Sequence, residues 1–83
     1  MRAKEYRKKP VVIEAVQWTG ENMGEILGFF GGAAMREGQD IIIGTLEGEM
    51  RAMPGDWIIK GVKGELYPCK NDVFVISYEA VEE

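Results

Sequence analysis

The sequence predicts an α+β domain: one short helix packed on a curved, mainly antiparallel sheet or a small, partly open barrel, in the order β-α-β-β-β-β-β. Three observations predict it. VVIEAVQW (11–18) is β-branched and apolar on both alternating faces, as an inner strand is. A helical stripe follows at 23–30, and after it short apolar runs alternate with Gly and Pro punctuation. The chain has 83 residues, room for one domain, so 1–83 reads as a unit with a basic arm at 1–9 and an acidic tail at 80–83.

Each element has its own reason. In the first strand Val11, Ile13, Ala15 and Gln17 share one face, and Val12, Glu14, Val16 and Trp18 the other. TGEN (19–22) is a turn. Asn22 and Glu25 have the spacing of a capping box, Asn22 as N-cap and Glu25 reaching back. Met23, Ile26, Leu27 and Phe30 then form one helical stripe, which Gly31-Gly32 is placed to end. AAMREGQD (33–40) has no strong period and reads as a connection into the strand IIIGT (41–45). Glu47-Gly48 suits a two-residue hairpin turn into EMRAM (49–53), and Pro54-Gly55 the middle of a type II turn. Phe74 to Tyr78 reads as a last strand.

Between them lies the hairpin PGDWIIKGVKGELYPC (54–69). A two-residue loop at Val62-Lys63, or a four-residue loop at Gly61–Gly64, sets Lys60 opposite Glu65. Val62 resists the positive φ of a primed two-residue turn, which favours the longer loop. Either loop puts Trp57, Ile59, Leu66 and Pro68 on an apolar face toward the core. Ile58, Lys60, Glu65 and Tyr67 are left on a mixed outer face, with a Lys60–Glu65 cross-strand ion pair.

Charge is uneven. Residues 1–9 carry Arg2, Lys4, Arg7, Lys8 and Lys9 against Glu5, a net of +4; residues 10–83 carry five cations and thirteen anions, a net of −8; together they give the formal −4. An acidic body argues against broad nucleic-acid binding. The arm could hold a phosphate or an acidic partner, though a solvated tail is the plainer reading. No apolar run approaches the length of a membrane span, and the run behind the arm is short and carries Glu14, unlike a signal peptide. A single cysteine, Cys69, cannot form an internal disulfide and fits a cytoplasmic setting. A chain this short buries only about 60–65% of its unfolded surface. Its core is thin, and a homo-oligomer is expected.

Catalytic chemistry has little to stand on. There is no histidine, so the usual proton shuttle near neutral pH is missing, and with one cysteine a zinc site of the usual kind has no ligands. Cys69 has no adjacent base and reads as core filler. Glu47 and Glu49 flank a turn glycine and read as solvent-facing, and Asp56 and Asp72 stand alone; a paired general acid and base or a Mg²⁺ site stays an alternative for these carboxylates. No G-x-G-x-x-G or Walker-type loop opens a helix, and the GxxG of GVKG joins two strands where KH-type RNA binding needs it between helices. No catalytic residue, metal or cofactor is therefore expected. Aromatics remain. Trp57 and Tyr78 read as core. Trp18 and Tyr67, with Lys60, Lys63, Lys70 and the arm residues Arg7 and Lys8, are the candidate ligand contacts, because an aromatic plane beside a cation suits a base and its phosphate.

YRKKPVVIEAVQWTGEN (6–22) and PGDWIIKGVKGELYPCKNDVF (54–74) together resemble a family of small uncharacterised proteins from tailed bacteriophages and prophages of Gram-positive bacteria. The two stretches cover nearly half the chain, and the middle adds little. No residue inherits a role from the resemblance. It implies a phage accessory acting in the cytoplasm of a host bacterial cell. Small phage accessories without a catalytic set are often counter-defence inhibitors, some of them sponges for nucleotide signals with sites at the junctions of a homo-oligomer. The leading expectation is thus a non-enzymatic protein that sequesters a small nucleotide-like ligand. The alternative is a protein-binding inhibitor of a host factor or a virion-associated accessory, using a sheet edge or the acidic surface. A small hydrolase or isomerase comes third.

Overall fold

A computed structural model of the chain describes residues 3–7, 10–30 and 34–81. Its elements in chain order are β1 (Glu14–Gln17), α1 (Met23–Phe30), β2 (Ala34–Glu37), β3 (Asp40–Thr45), β4 (Gly48–Ala52), β5 (Trp57–Lys60), β6 (Leu66–Cys69) and α2 (Asn71–Ser77). They build an α+β domain of two three-stranded antiparallel sheets, ordered β1-β5-β6 and β2-β3-β4, with no closed barrel. The core lies between them. Ile41 and Ile43 with their cross-strand partners Ala52 and Ala34 come from one sheet, Val16 and its partner Ile58 from the other, and Trp18, Ile26 and Met23 close the space.

The elements depart from expectation in five places. The first strand, expected as an inner strand over 11–18, spans only Glu14–Gln17 and lies at the edge of its sheet, because only β5 pairs with it and Val11 and Val12 stay exposed. The connection at 33–40 contains a strand, β2, because Gly38-Gln39 makes a glycine-led two-residue hairpin loop between the partners Glu37 and Asp40. The next hairpin turns at Leu46-Glu47 rather than Glu47-Gly48: Thr45 pairs with Gly48, and the Thr45 hydroxyl donates to the Gly48 carbonyl (2.6 Å). Asn22 does not cap α1 through its side chain. Its Oδ1 accepts from the Thr19 N–H (2.9 Å) and its amide donates to the Gln17 carbonyl (2.8 Å) and to Glu25 (2.6 Å), so it binds the turn and not the helix N–H groups. Finally, the expected last strand at 74–78 is helix through Ser77. Along the α1 stripe, Ile26 is fully buried, Met23 packs on the core and Leu27 stays exposed. The expected Gly31-Gly32 stop and Glu82-Glu83 of the acidic tail at 80–83 lie outside the described residues. The type II turn does form: the Asp56 N–H donates to the Met53 carbonyl (2.9 Å) with Gly55 at φ +98.

The 54–69 hairpin differs by one residue, and that changes its faces. Its loop is Val62-Lys63-Gly64, three residues, closed by the Gly61 N–H on the Glu65 carbonyl (2.8 Å), with the Gly64 N–H on the Gly61 carbonyl (2.9 Å). This is a turn followed by a glycine bulge, Gly64 standing at φ +82. An odd loop shifts the pairing by one: Lys60 faces Leu66, Ile59 faces Tyr67, Ile58 faces Pro68 and Trp57 faces Cys69. Ile58 and Pro68 therefore share the core face, while Trp57, Ile59, Tyr67 and Cys69 share the other. The expected Lys60–Glu65 pair is replaced. The Lys60 ammonium donates to the Phe29 carbonyl (3.0 Å) and lies 4.7 Å from that ring's centroid, and the Glu65 carboxylate accepts the Lys63 N–H (3.1 Å).

No heavy atom lies within 4 Å of where a Cβ on Gly64 would stand, so Gly64→Ala tests backbone alone. A non-glycine residue in this left-handed region is expected to cost about 1–2 kcal/mol. That corresponds to a fall of about 5–15 °C in melting temperature, read by calorimetry.

Candidate functional site

The second face of the β1-β5-β6 sheet is where the surface becomes concave. Ile59, Tyr67 and Cys69 rise from β5 and β6, one wall is the extended segment Pro10–Ile13 leading into β1, and the other is α2 with Val73 and Ser77, followed by Tyr78 and Glu79. Together they enclose an open groove of about 860 Å³. A smaller hollow of about 210 Å³ continues it toward Trp57, Phe74 and Ala80 along the same Val11–Ile13 wall.

The sequence positions the α2 wall through its aromatics. Trp57 stacks on Phe74 with ring centroids 4.0 Å apart and planes 5° off parallel, and Phe74 stacks on Tyr78 at 5.0 Å. The Trp57 indole N–H donates to the Asn71 side-chain oxygen at the start of the helix (2.9 Å). These contacts hold a helix that has no fully buried residue and whose N-cap, Lys70, makes no side-chain cap bond. Lys70 is anchored instead by Asp56, whose carboxylate takes the ammonium at 2.9 Å and the Met53 N–H at 2.9 Å. Trp57 and Tyr78, expected in the core, are half-buried parts of this second layer.

Within the groove Tyr67 and Tyr78 both contribute to the lining. Burial first, then hydrogen bonding and charge from Tyr78, then the nearby Glu65 and Cys69 push the Tyr67 phenol up to about 12. The phenol thus stays protonated to higher pH in the folded chain than in the unfolded chain, whose tyrosines ionise near pH 10. Folded stability is fully present below about pH 10 and falls as pH rises toward 12. Tyr67→Phe is expected to flatten that fall, which melting curves of both proteins between pH 9 and 12 would record. Cys69 is half-buried beside it. Burial, then the charges of Asp56 and Asp72, push its thiol up, away from the thiolate a nucleophile needs.

The candidate ligand contacts do not converge. Trp18 is fully buried, its indole N–H on the Gln39 carbonyl (2.9 Å) and the Arg36 guanidinium over its ring at 5.6 Å, so it has no face to offer a ligand. Lys60 sits against the end of α1, Lys70 is paired with Asp56, and Lys63 is exposed at the hairpin tip. Arg7 is exposed on the arm; Lys8 lies outside the described residues. Only Tyr67 lines the groove. The charged side chains among the described lining are Glu65 and Glu79, both acidic. The residues missed in the sequence are those of α2 and of the Pro10–Ile13 wall. Asn71-Asp72 ahead of an apolar run was the available helix-start signal, outweighed by the β-branched Val73, Val75 and Ile76.

Apolar surface continues beyond the groove. Val12, Val62 and Val73 are exposed within its lining, and Val75 and Ile76 of α2, the latter 83% exposed, and Val81 are exposed as well. Among the described residues no group of three thiols or carboxylates is placed to hold a metal ion, and no helix is long and apolar enough to cross a membrane. Comparison of the chain with protein families, with curated proteins and with solved structures finds no match.

Proposed function

We propose that this is a non-enzymatic accessory protein that binds another protein through the groove and the apolar surface around α2. One observation carries the reading: Val12, Val62 and Val73 line one groove and are each exposed, on a domain whose core is thin. A surface of that kind is what interaction sites expose, and it spreads over more of the chain than a small ligand would cover. The raised thiol of Cys69 and the absence of histidine argue against nucleophilic or acid–base catalysis here. The resemblance to phage proteins suggests a host factor as the partner and inhibition in counter-defence as the outcome.

A comparison of two baits in host lysate tests the reading. Wild type is expected to retain one stoichiometric protein that Val12→Asp/Val73→Asp loses, both baits being folded by circular dichroism. Equal capture by the two would remove the groove from the interaction and overturn the reading.

A second reading, a nucleotide-like ligand, is supported by Tyr67 and Tyr78, which offer ring and hydroxyl within one groove. Phosphate contacts would fall to Lys63 or the arm, since Lys60 and Lys70 are engaged elsewhere. Calorimetric titration with cyclic di- and trinucleotides and ADP-ribose derivatives decides it: heat lost on Tyr67→Ala supports it, and no heat with any of them ends it.

A further inference from the structure

We propose that the groove is filled, in the absence of another partner, by the basic arm of a second copy of this chain, giving a reciprocal arm-exchanged dimer; the proposal rests on the groove being a binding site. Three observations point to the arm. Ala3–Arg7 is exposed throughout, and Tyr6, a large aromatic, keeps 89% of its surface open to water. The chain is less compact than its length requires: the radius of gyration is 14.5 Å, where a compact domain of this length has about 12 Å. And the arm matches the groove in kind. Lys4 and Arg7 flank the aromatic Tyr6, while the groove is apolar with Glu65 and Glu79 on its lining and Asp72 at the start of α2.

A second copy fits better than the arm of the same chain. Pro10–Ile13 already forms one wall, so the arm leaves from the groove's own edge. Filling that groove in the same chain would need a reversal just ahead of Pro10, and proline disfavours compact backbone in the residue before it. In a two-fold pair each copy gives an arm and receives one, so the exchange closes on itself without leaving a free groove. Tyr6 would supply the aromatic body, and Lys4 and Arg7 would lie against the acidic rim.

The test uses the whole chain with the photo-cross-linker benzoylphenylalanine in place of Tyr6, as an equal mixture of light and heavy isotope-labelled protein. Links between light and heavy chains that map to β6, α2 or Tyr78 are expected. Light scattering should give a dimer mass for wild type. Lys4→Glu/Arg7→Glu, which touches no packed side chain, should weaken the dimer by at least about tenfold, as should raised salt. Links confined to one chain, a monomer mass at the highest soluble concentration, or a dimer indifferent to the two arm substitutions would each overturn the proposal. None of these bears on the lysate comparison of Val12→Asp/Val73→Asp, by which the groove reading itself stands or falls.

Discussion

Trp18→Ala is expected to cost about 3–5 kcal/mol, the range for emptying a buried aromatic site. A domain of 83 residues has about 4–12 kcal/mol in total, so the variant should be largely unfolded at 37 °C. Trp18 is the largest of the fully buried side chains and the point where both sheets and α1 meet. Its backbone is also committed: the N–H donates to the Asp56 carbonyl (2.9 Å) and the carbonyl accepts from the Gly55 N–H (2.6 Å). Trp18→Phe keeps most of the apolar volume but leaves the Gln39 carbonyl without its indole donor. A loss of about 1–3 kcal/mol is expected there, with the fold retained. Denaturant titration followed by circular dichroism separates the two. An alanine variant that melts near wild type would mean that Trp18 is a surface contact after all.

Asp56→Ala should come next in size, at about 2–4 kcal/mol. Asp56 is the one buried charged residue among the described residues, 6% exposed, and its carboxylate holds the Met53–Asp56 turn together from inside. The exposed side of its pair matters less. The Lys70 side chain is 59% exposed, so its ion pair is worth only about 0–1 kcal/mol after solvent screening. Lys70→Ala should therefore be mild where Asp56→Ala is severe. Lys70 stands just ahead of α2, and Asp56→Ala should also loosen that helix against the sheet. Hydrogen exchange over Val73–Tyr78 measures it: faster exchange in Asp56→Ala than global destabilisation explains is the expected result. Equal losses from Asp56→Ala and Lys70→Ala would show instead that the ion pair, and not the turn, is the source of the stability.

What could be read in the sequence was what local patterns determine. The α+β class, a strand ahead of α1, α1 itself, the β3–β4 pair and the Pro54-Gly55 turn are each set by residues within a few positions of one another. That the first strand is confined to Glu14–Gln17 at a sheet edge depends on long-range pairing and was not legible. The hairpin pairing was not legible, because it depends on whether the loop holds an even or an odd number of residues, and Gly61-Val62-Lys63-Gly64 accommodates both. α2 was hidden for a different reason. Val73, Val75 and Ile76 prefer strand, and the helix exists because Trp57 and Tyr78 stack on Phe74, contacts 17 and 4 residues apart in sequence. The same two misreadings concealed the groove: the β5 part of its floor, Ile59 beside Trp57, is the part the pairing error turned inward, and its far wall is the helix. Tyr67 alone survived as a lining residue, since the expected and the observed pairing both leave it on the face away from the core.

The bulged loop at Val62-Lys63-Gly64 has a bearing on how such a chain can change over generations. Exposed hairpin tips ordinarily tolerate gain or loss of a residue. Here loss of Lys63 would leave Val62-Gly64 as a two-residue loop between the same partners, Gly61 and Glu65, and every side chain of β6 would keep its face. Only a slip of the pairing itself would turn the groove inside out: Tyr67 and Cys69 would be driven toward Ile58 and the interior, and Leu66 and Pro68 would become its floor. Register at this hairpin is thus under tighter constraint than loop length: Lys63 can be exchanged or lost as long as Gly61 still closes on Glu65.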